Sequence, residues 1–231
     1  MAEKTVSEAV YSLRAVREYK PDPVSKDDLA KIVRAGTFAC SSGNTQPWEF
    51  VVLTDPKLRK QVQEWMAEAF AHVNAQRAQP KEALVDGVGR PITGDAAVRN
   101  IGTVPAIILV LWNPERGIRM KNEYKTNPDG TMEENRHSQG RGSSLFPCCQ
   151  NMMLTANSLG IGSLFTTFLK LRAPDIKKLL HIPPQMFLEA GIFIGHPNEK
   201  LGMPRRRAIE LCTHDNVWEK TFKSPELVGK R

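Results

Sequence analysis

The sequence predicts an α+β fold in one domain spanning residues 1–231. Three observations carry this reading. Segments with apolar residues at helical spacing alternate with short, nearly continuous apolar runs, and those runs are bounded by Gly, Pro and Asp. No repeat, low-complexity tract or linker divides the chain, which is long enough to bury a sizeable core.

The elements follow in order. Val6, Ala9, Val10, Leu13 and Val16 recur at helical spacing and predict a first amphipathic helix. At ~100° per residue, Arg17 falls near the middle of that apolar stripe. A buried guanidinium without an anionic partner is costly, so either the helix ends there or Arg17 faces an enclosed anion. Pro21 and Pro23 impose an extended connection. Ser25-x-x-Asp28 is a capping box, and Leu29, Ile32 and Val33 give the next helix its buried face up to Phe38-Ala39-Cys40. A strand is predicted over Glu49–Thr54, and Asp55-Pro56 opens a long helix with Leu58, Val62, Trp65, Ala69 and Val73 inward.

From 80 to 100 the periodicity fades among Gly87, Gly89, Pro91 and Gly94. Val104–Trp112 suits a strand buried on both faces. Residues 113–142 are polar and aperiodic, and 80–142 together read as a variable lid or excursion. Leu145, Cys148, Cys149, Met152, Met153, Ala156 and Leu159 form a buried helix closed by Gly160. A strand over 163–168, a short helix over Pro174–Leu180 and a buried strand over Leu188–Gly195 complete the core. Beyond Arg205 a short strand and a polar tail, 213–231, are expected.

The formal charge is +7, but the cations are spread from Lys4 to Arg231 with one dense cluster, Arg205-Arg206-Arg207. No helix-turn-helix, zinc-finger or RNP-like pattern accompanies them, so a nucleic-acid partner is not expected. No run reaches the ~18–20 apolar residues of a membrane span, and Glu3, Lys4, Ser7 and Glu8 interrupt any signal-peptide pattern. The cytoplasm is the expected compartment. Cys40, Cys148, Cys149 and Cys212 form no CxxC pair and are expected to be reduced, buried thiols. The five histidines have no ligand spacing, so no metal site is expected. Dinucleotide GxGxxG, Walker, GxSxG and HExxH patterns are absent from the sequence.

Two features carry chemistry. Arg14-Ala15-Val16-Arg17 places two fixed cations near the start, and Arg forks fit phosphate oxygens in a bidentate way. The small polar loop Ser41-Ser42-Gly43-Asn44-Thr45-Gln46-Pro47-Trp48 lets backbone approach a ligand closely. Together they suit a phosphate and a flat heterocycle.

At these residues the chain resembles the nitroreductase-like flavoproteins, which bind FMN at a dimer interface. The resemblance covers residues 14–54 and 140–218, with little in 55–139. It implies a sandwich with a mainly antiparallel sheet flanked by helices, as an intertwined homodimer joined through residues 144–159 with the tail wrapping its partner. The family run Arg-Arg-Ser-x-Arg stands here as Leu13-Arg14-Ala15-Val16-Arg17, so Leu13 and Ala15 depart from it. The family's late phosphate-binding Arg falls among Arg205, Arg206 and Arg207, with Arg206 favoured and Ala208 replacing the usual Pro. The resemblance places Ser41 and Ser42 along the flavin, and Asn44 at its ribityl or pyrimidine edge. Pro47 and Trp48 read as turn and core residues. Gly160–Thr167 resembles the segment passing the flavin N5 edge, which puts Phe165, Thr166 and Thr167 at the ring; Ser144-Leu145-Phe146-Pro147 resembles the start of the interface helix.

The implied activity is FMN-dependent reduction of nitroaromatic or quinone acceptors by NADPH or NADH in alternating half-reactions. No side chain is required as acid or base, because the flavin carries the hydride chemistry. Trp112, Tyr124 and Arg141 are candidate acceptor contacts from the lid. Reductive dehalogenation, or another specialised reaction of the family, is the alternative within flavin chemistry. A non-catalytic flavin-binding or structural protein is the alternative outside it.

Overall fold

The computed structural model describes residues 4–76, 104–117, 124–134, 141–204 and 206–222. Helix α1 (Val6–Ser12) is followed by α2 (Lys26–Thr37), strand β1 (Trp48–Leu53) and helix α3 (Pro56–Ala75). Then come β2 (Ala106–Trp112), a small hairpin of β3 (Tyr124–Thr126) and β4 (Met132–Glu134), and helix α4 (Arg141–Ser158). Strand β5 (Gly162–Thr166), helix α5 (Ala173–Leu179) and strand β6 (Phe187–Gly195) close the core.

The four-stranded sheet has the order β1-β2-β6-β5, and every pairing in it is antiparallel. All seven residues of β2 are buried, because side chains of a strand alternate between faces and both faces are covered. Ala106, Ile108, Val110 and Trp112 pack with Leu29 and Ile32 of α2 and with Leu145, Cys148, Met152 and Ala156 of α4. Ile107, Leu109 and Leu111 pack on the opposite face with Val62 and Met66 of α3, Leu169, and Ile176 of α5. Two cores thus share one sheet, and the α+β reading from sequence stands.

Capping follows the sequence as well. Ser25 accepts from the Asp28 N–H, and Asp55 accepts from the Lys57 and Leu58 N–H groups, which start α2 and α3. Gly160 takes φ of 74°, the left-handed conformation that ends α4.

Several expectations are corrected. The first helix stops at Ser12 and does not reach Val16. Its stripe is only partly covered: Ala9 is buried against α4, but Val6 and Val10 are 81% and 45% exposed. Val16 is buried instead by leaving the helix, where its N–H donates to the Ser163 carbonyl at 2.9 Å. The chain turns extended at Leu13, so sheet pairing has overridden helical periodicity. Part of the expected excursion is ordered, since β3 and β4 are joined by Asn127–Thr131 with Gly130 at φ 80°. The strand expected after Arg205 is a 3-10 turn, Ile209–Leu211, followed by a tight loop closed by a bridge between His214 and Thr221. Asn216 and Glu219 there have positive φ, which breaks a strand. The thiols also divide, with Cys148 and Cys149 buried but Cys40 and Cys212 exposed. No described helix is long and apolar enough to cross a membrane.

Gly162 lies under Val16, and a Cβ there would stand 2.8–2.9 Å from three Val16 carbons. Val16 is β-branched and cannot swing aside. Gly162→Ala is expected to lower stability by about 1–3 kcal/mol in denaturant titration, the usual cost of overpacking; an unchanged midpoint would contradict the contact.

Burial pushes the Cys148 and Cys149 thiols up to about 12 from an ordinary value of 9.0. The unfolded chain then loses these protons first, so the contribution is complete below pH ~9 and declines as pH rises towards 12. Stability should fall above pH ~9 with a slope of up to about 1.4 kcal/mol per pH unit for each thiol. Replacing both by Ala should flatten that limb of the pH–stability curve.

Candidate functional site

The segment after α1 carries the early cations. Thr5 and Glu8 form a capping box that starts α1, and the chain leaves the helix through Leu13. Ala15 then forms a parallel bridge to Ser163 on β5, the free edge of the sheet. Tyr19 bridges Pro197, the Lys20 N–H donates to the His196 carbonyl at 2.8 Å, and the Asn198 N–H donates to Glu18 at 2.9 Å. Residues 15–20 are therefore laced between β5 and the stretch that follows β6. Tyr19 is buried, and its hydroxyl donates to the Val16 carbonyl at 2.7 Å. Burial first, then the negative charge of Glu199, pushes its ionisation well above the ordinary tyrosine range, while Arg17 acts in the opposite sense.

Glu199 sits at the centre of this segment. Its Oε1 accepts from the Arg17 N–H at 2.7 Å and from the Glu18 N–H at 3.3 Å. Its Oε2 lies 3.9 Å from the Arg14 guanidinium. Arg14 also reaches the Gly202 carbonyl at 3.5 Å, and the Arg17 guanidinium donates to Ala15 at 3.4 Å. Arg14 lines a small cleft of about 60 Å³ with Lys4, Ser12, Asn157, Gly162 and Ser163. The Ser163 hydroxyl, in a residue only 2% exposed, has no hydrogen-bond partner.

The polar loop forms the second constellation. Ser42–Asn44 make one 3-10 turn, and Gly43, Asn44 and Gln46 all have positive φ, of 58°, 53° and 50°. Asn tolerates this region; Gln does so less often. The conformation is held by the Gln46 N–H donating to Ser41 Oγ at 3.0 Å and by the Asn44 N–H donating to the Ser41 carbonyl at 2.9 Å. Pro47 and Trp48 are buried, as expected. The Asn113 N–H donates to the Pro47 carbonyl at 2.7 Å, and Arg116 bridges the Trp48 carbonyl and the Glu49 carboxylate at 2.7 and 2.6 Å. At the other side of the loop, the Ser42 N–H donates to Ser144 Oγ at 3.3 Å. Ser41, Ser42, Asn44 and Ser144 are thus gathered in one place.

Strand β5 connects the two constellations. Phe165 packs edge-to-face on Phe146 of α4, ring centroids 5.7 Å apart. Thr166 is buried and its hydroxyl accepts from the Phe168 N–H at 3.2 Å, while Thr167 is exposed. The 3-10 helix after Thr167, Phe168–Arg172, is pinned by Lys170 to the buried carboxylate of Glu189 at 2.7 Å. Glu189 is the extra residue of a bulge, since Val110 faces Ala190 and Leu111 faces Leu188.

On one chain the two constellations are not brought together. Ser144 lies near the start of α4 and Asn157 near its end, which at 1.5 Å per residue puts them about 20 Å apart. Ser144 belongs to the loop and Asn157 to the Arg14 cleft. Arg206 and Arg207 are exposed on the stretch beyond Gly202, and Arg205 lies outside the described residues. Trp112 is corrected from an acceptor contact to a core residue, 2% exposed and edge-on to Phe187. The side chains of Tyr124 and Arg141, and most of the expected lid, lie outside the described residues, as does the tail beyond 222.

Sequence reasoning missed Glu199 and Ser163. A hydroxyl on an otherwise apolar strand beside Gly162 was a readable signal for Ser163. Glu199 had none, because only the fold sets it against the arginines. No cluster of three metal-ligating side chains occurs among the described residues.

Three comparisons bear on this geometry. An Archaeoglobus fulgidus protein named as a candidate NADH dehydrogenase/NAD(P)H nitroreductase is 39% identical over 61 residues, 26% of this chain; the chain thus spans only 33% of that relative's length. An iodotyrosine deiodinase of Nematostella vectensis is 25% identical over 199 residues, 85% of this chain and 69% of its own. The solved structure of a nitroreductase with bound FMN from Bacteroides fragilis superposes with a TM-score of 0.61 at 19% identity, covering 89% of this chain and 96% of that one. The sequence profile described as the Nitroreductase family matches residues 11–196, from the end of α1 through β6, and the chain belongs to that family.

Proposed function

We propose that this protein is an FMN-dependent oxidoreductase that takes electrons from NADPH or NADH and passes them to a flat, electron-poor acceptor such as a nitroaromatic or a quinone. The observation that carries the reading is the Leu13–Tyr19 segment, locked onto β5 so that Arg14 shares a cleft with an unsatisfied, buried Ser163 hydroxyl, with Arg17 three residues further along the same segment. Cations and an orphan hydroxyl at one strand edge fit a dianionic phosphate. The names of two relatives, an NAD(P)H nitroreductase and an FMN-bound nitroreductase, agree with that fit.

In this reading Arg14, Arg17 and one of Arg205–Arg207, most simply Arg206, hold the phosphate. Ser41, Ser42 and Asn44 flank the ring, with Ser144 fixing their loop. Phe165 packs beside it, and the exposed Thr167 presents its backbone and hydroxyl to the ring edge while Thr166 braces the turn. When bound, FMN supplies the hydride chemistry, so no residue is assigned as acid or base.

The ~20 Å between the loop and the Arg14 cleft argues for two copies sharing each flavin, one giving the clamp and its partner the loop. Exposed apolar side chains at Val6 (81%), Tyr11 (68%), Leu211 (76%) and Trp218 (79%) supply surface for such a homodimer. Reductive dehalogenation of an aromatic ring is the second reading, favoured by the deiodinase that aligns over most of the chain.

The purified protein is expected to be yellow, to release FMN on boiling and to scatter light as a dimer. Arg206→Ala should weaken FMN retention roughly 10- to 150-fold, from about 1.5–3 kcal/mol for a charged hydrogen bond. A colourless monomer that cannot be reconstituted would overturn the reading and leave a structural role.

Donor and acceptor are expected to alternate at one site. Steady-state rates at several NADPH and nitroaromatic concentrations should give parallel double-reciprocal lines, whereas intersecting lines would refute a shared site. Halide release from an iodinated phenol, without nitro reduction, would transfer the assignment to dehalogenation.

A further inference from the structure

We propose that Glu199 is the positioning residue of the phosphate clamp, acting by holding the backbone that carries Arg14 and Arg17. The proposal rests on the flavin reading above. Between α1 and α2 the extended chain pairs with its neighbours only at intervals: the Val16 N–H goes to Ser163 and the Lys20 N–H to His196. The N–H groups of Arg17 and Glu18 lie between these two anchors and find their acceptor in a single carboxylate oxygen, Glu199 Oε1, at 2.7 and 3.3 Å. The other oxygen faces Arg14 at 3.9 Å. Glu199 itself is fixed from behind, because Tyr19 bridges Pro197 and the Asn198 N–H donates to the Glu18 carbonyl. One side chain therefore completes the hold on the chain that carries both cations, which the Val16–Ser163 bond begins.

Two effects of the carboxylate compete. Its charge opposes a nearby phosphate, and its pairing with Arg14 is long and partly exposed, with side chains 32% and 23% accessible. Such pairs contribute little. The N–H bonds of Arg17 and Glu18 are geometrically exacting, and both groups lose their acceptor if its oxygen withdraws. The reach of the acceptor, not its charge, is what the clamp depends on.

This separates two substitutions. Glu199→Gln keeps an oxygen at full reach and removes the charge. Glu199→Asp keeps the charge and withdraws the oxygen by one methylene. Dissociation constants of FMN and of riboflavin, which lacks the phosphate, should be measured for the apoprotein of each by flavin fluorescence quenching. Glu199→Gln should bind FMN within about threefold of the parent, or more tightly. Glu199→Asp and Glu199→Ala should lose at least about tenfold, the effect of ~1.4 kcal/mol. Riboflavin binding should be the same in all four proteins. If Gln fails while Asp holds, or if FMN and riboflavin weaken in parallel, the positioning role is overturned. If the parent protein binds neither flavin, it is the cofactor reading that fails. Should Glu199→Ala not fold, the Gln and Asp pair decides alone.

Discussion

The structure depends on the burial of β2 and β6 on both faces. An isolated antiparallel pair is marginal in water, and it becomes a framework only when each face is covered. Here α2 and α4 cover one face, and α3, α5 and the Phe168–Arg172 turn cover the other. The cost is that neither strand can offer a side chain to a ligand. Trp112, an aromatic at the end of β2, is spent on packing against Phe187. Chemistry must therefore be built on what surrounds the central pair: the edge strand β5, the loop before β1 and the ends of α4.

An edge strand with free backbone groups invites unwanted pairing. The chain uses β5's open side for its own Ala15–Val16 segment, and in doing so fixes the two early arginines. The bridge is short, and a short bridge alone would leave Arg17 and Glu18 without backbone acceptors. Glu199 supplies that acceptor from the stretch after β6. A sheet edge, a turn after a strand and one carboxylate thus do what a helix was expected to do. The neighbouring Glu189 has a parallel role at the other end of β5, where its bulge and its pairing with Lys170 hold the turn that follows Thr167.

The legible parts of the sequence were those where local chemistry and tertiary context agree. Val104–Trp112 read as a doubly buried strand because its hydrophobicity has no period. Ser25 and Asp55 marked helix starts because capping is a local hydrogen bond. The polar loop was visible because small residues, Gly and Pro-Trp together have few other uses. The illegible parts were long-range. Val16 obeys a helical period but pairs with Ser163, 147 positions on, and nothing near Val16 reports that partner. The exposed thiols and the 3-10 turn at Ile209–Leu211 escaped for the same reason, since burial there is decided by distant segments.

The strained loop and the clamp also differ in how they are kept in place. The loop holds three consecutive-neighbourhood residues at positive φ, a conformation that local bonds from Ser41 and anchors from Ser144 and Arg116 must over-determine. The clamp instead holds unstrained extended chain by long-range contacts. A ligand bridging both would touch one rigid, locally encoded surface and one surface encoded by the fold. Because the two lie at opposite ends of an 18-residue helix, a second copy of the chain is the simplest object that can set them face to face.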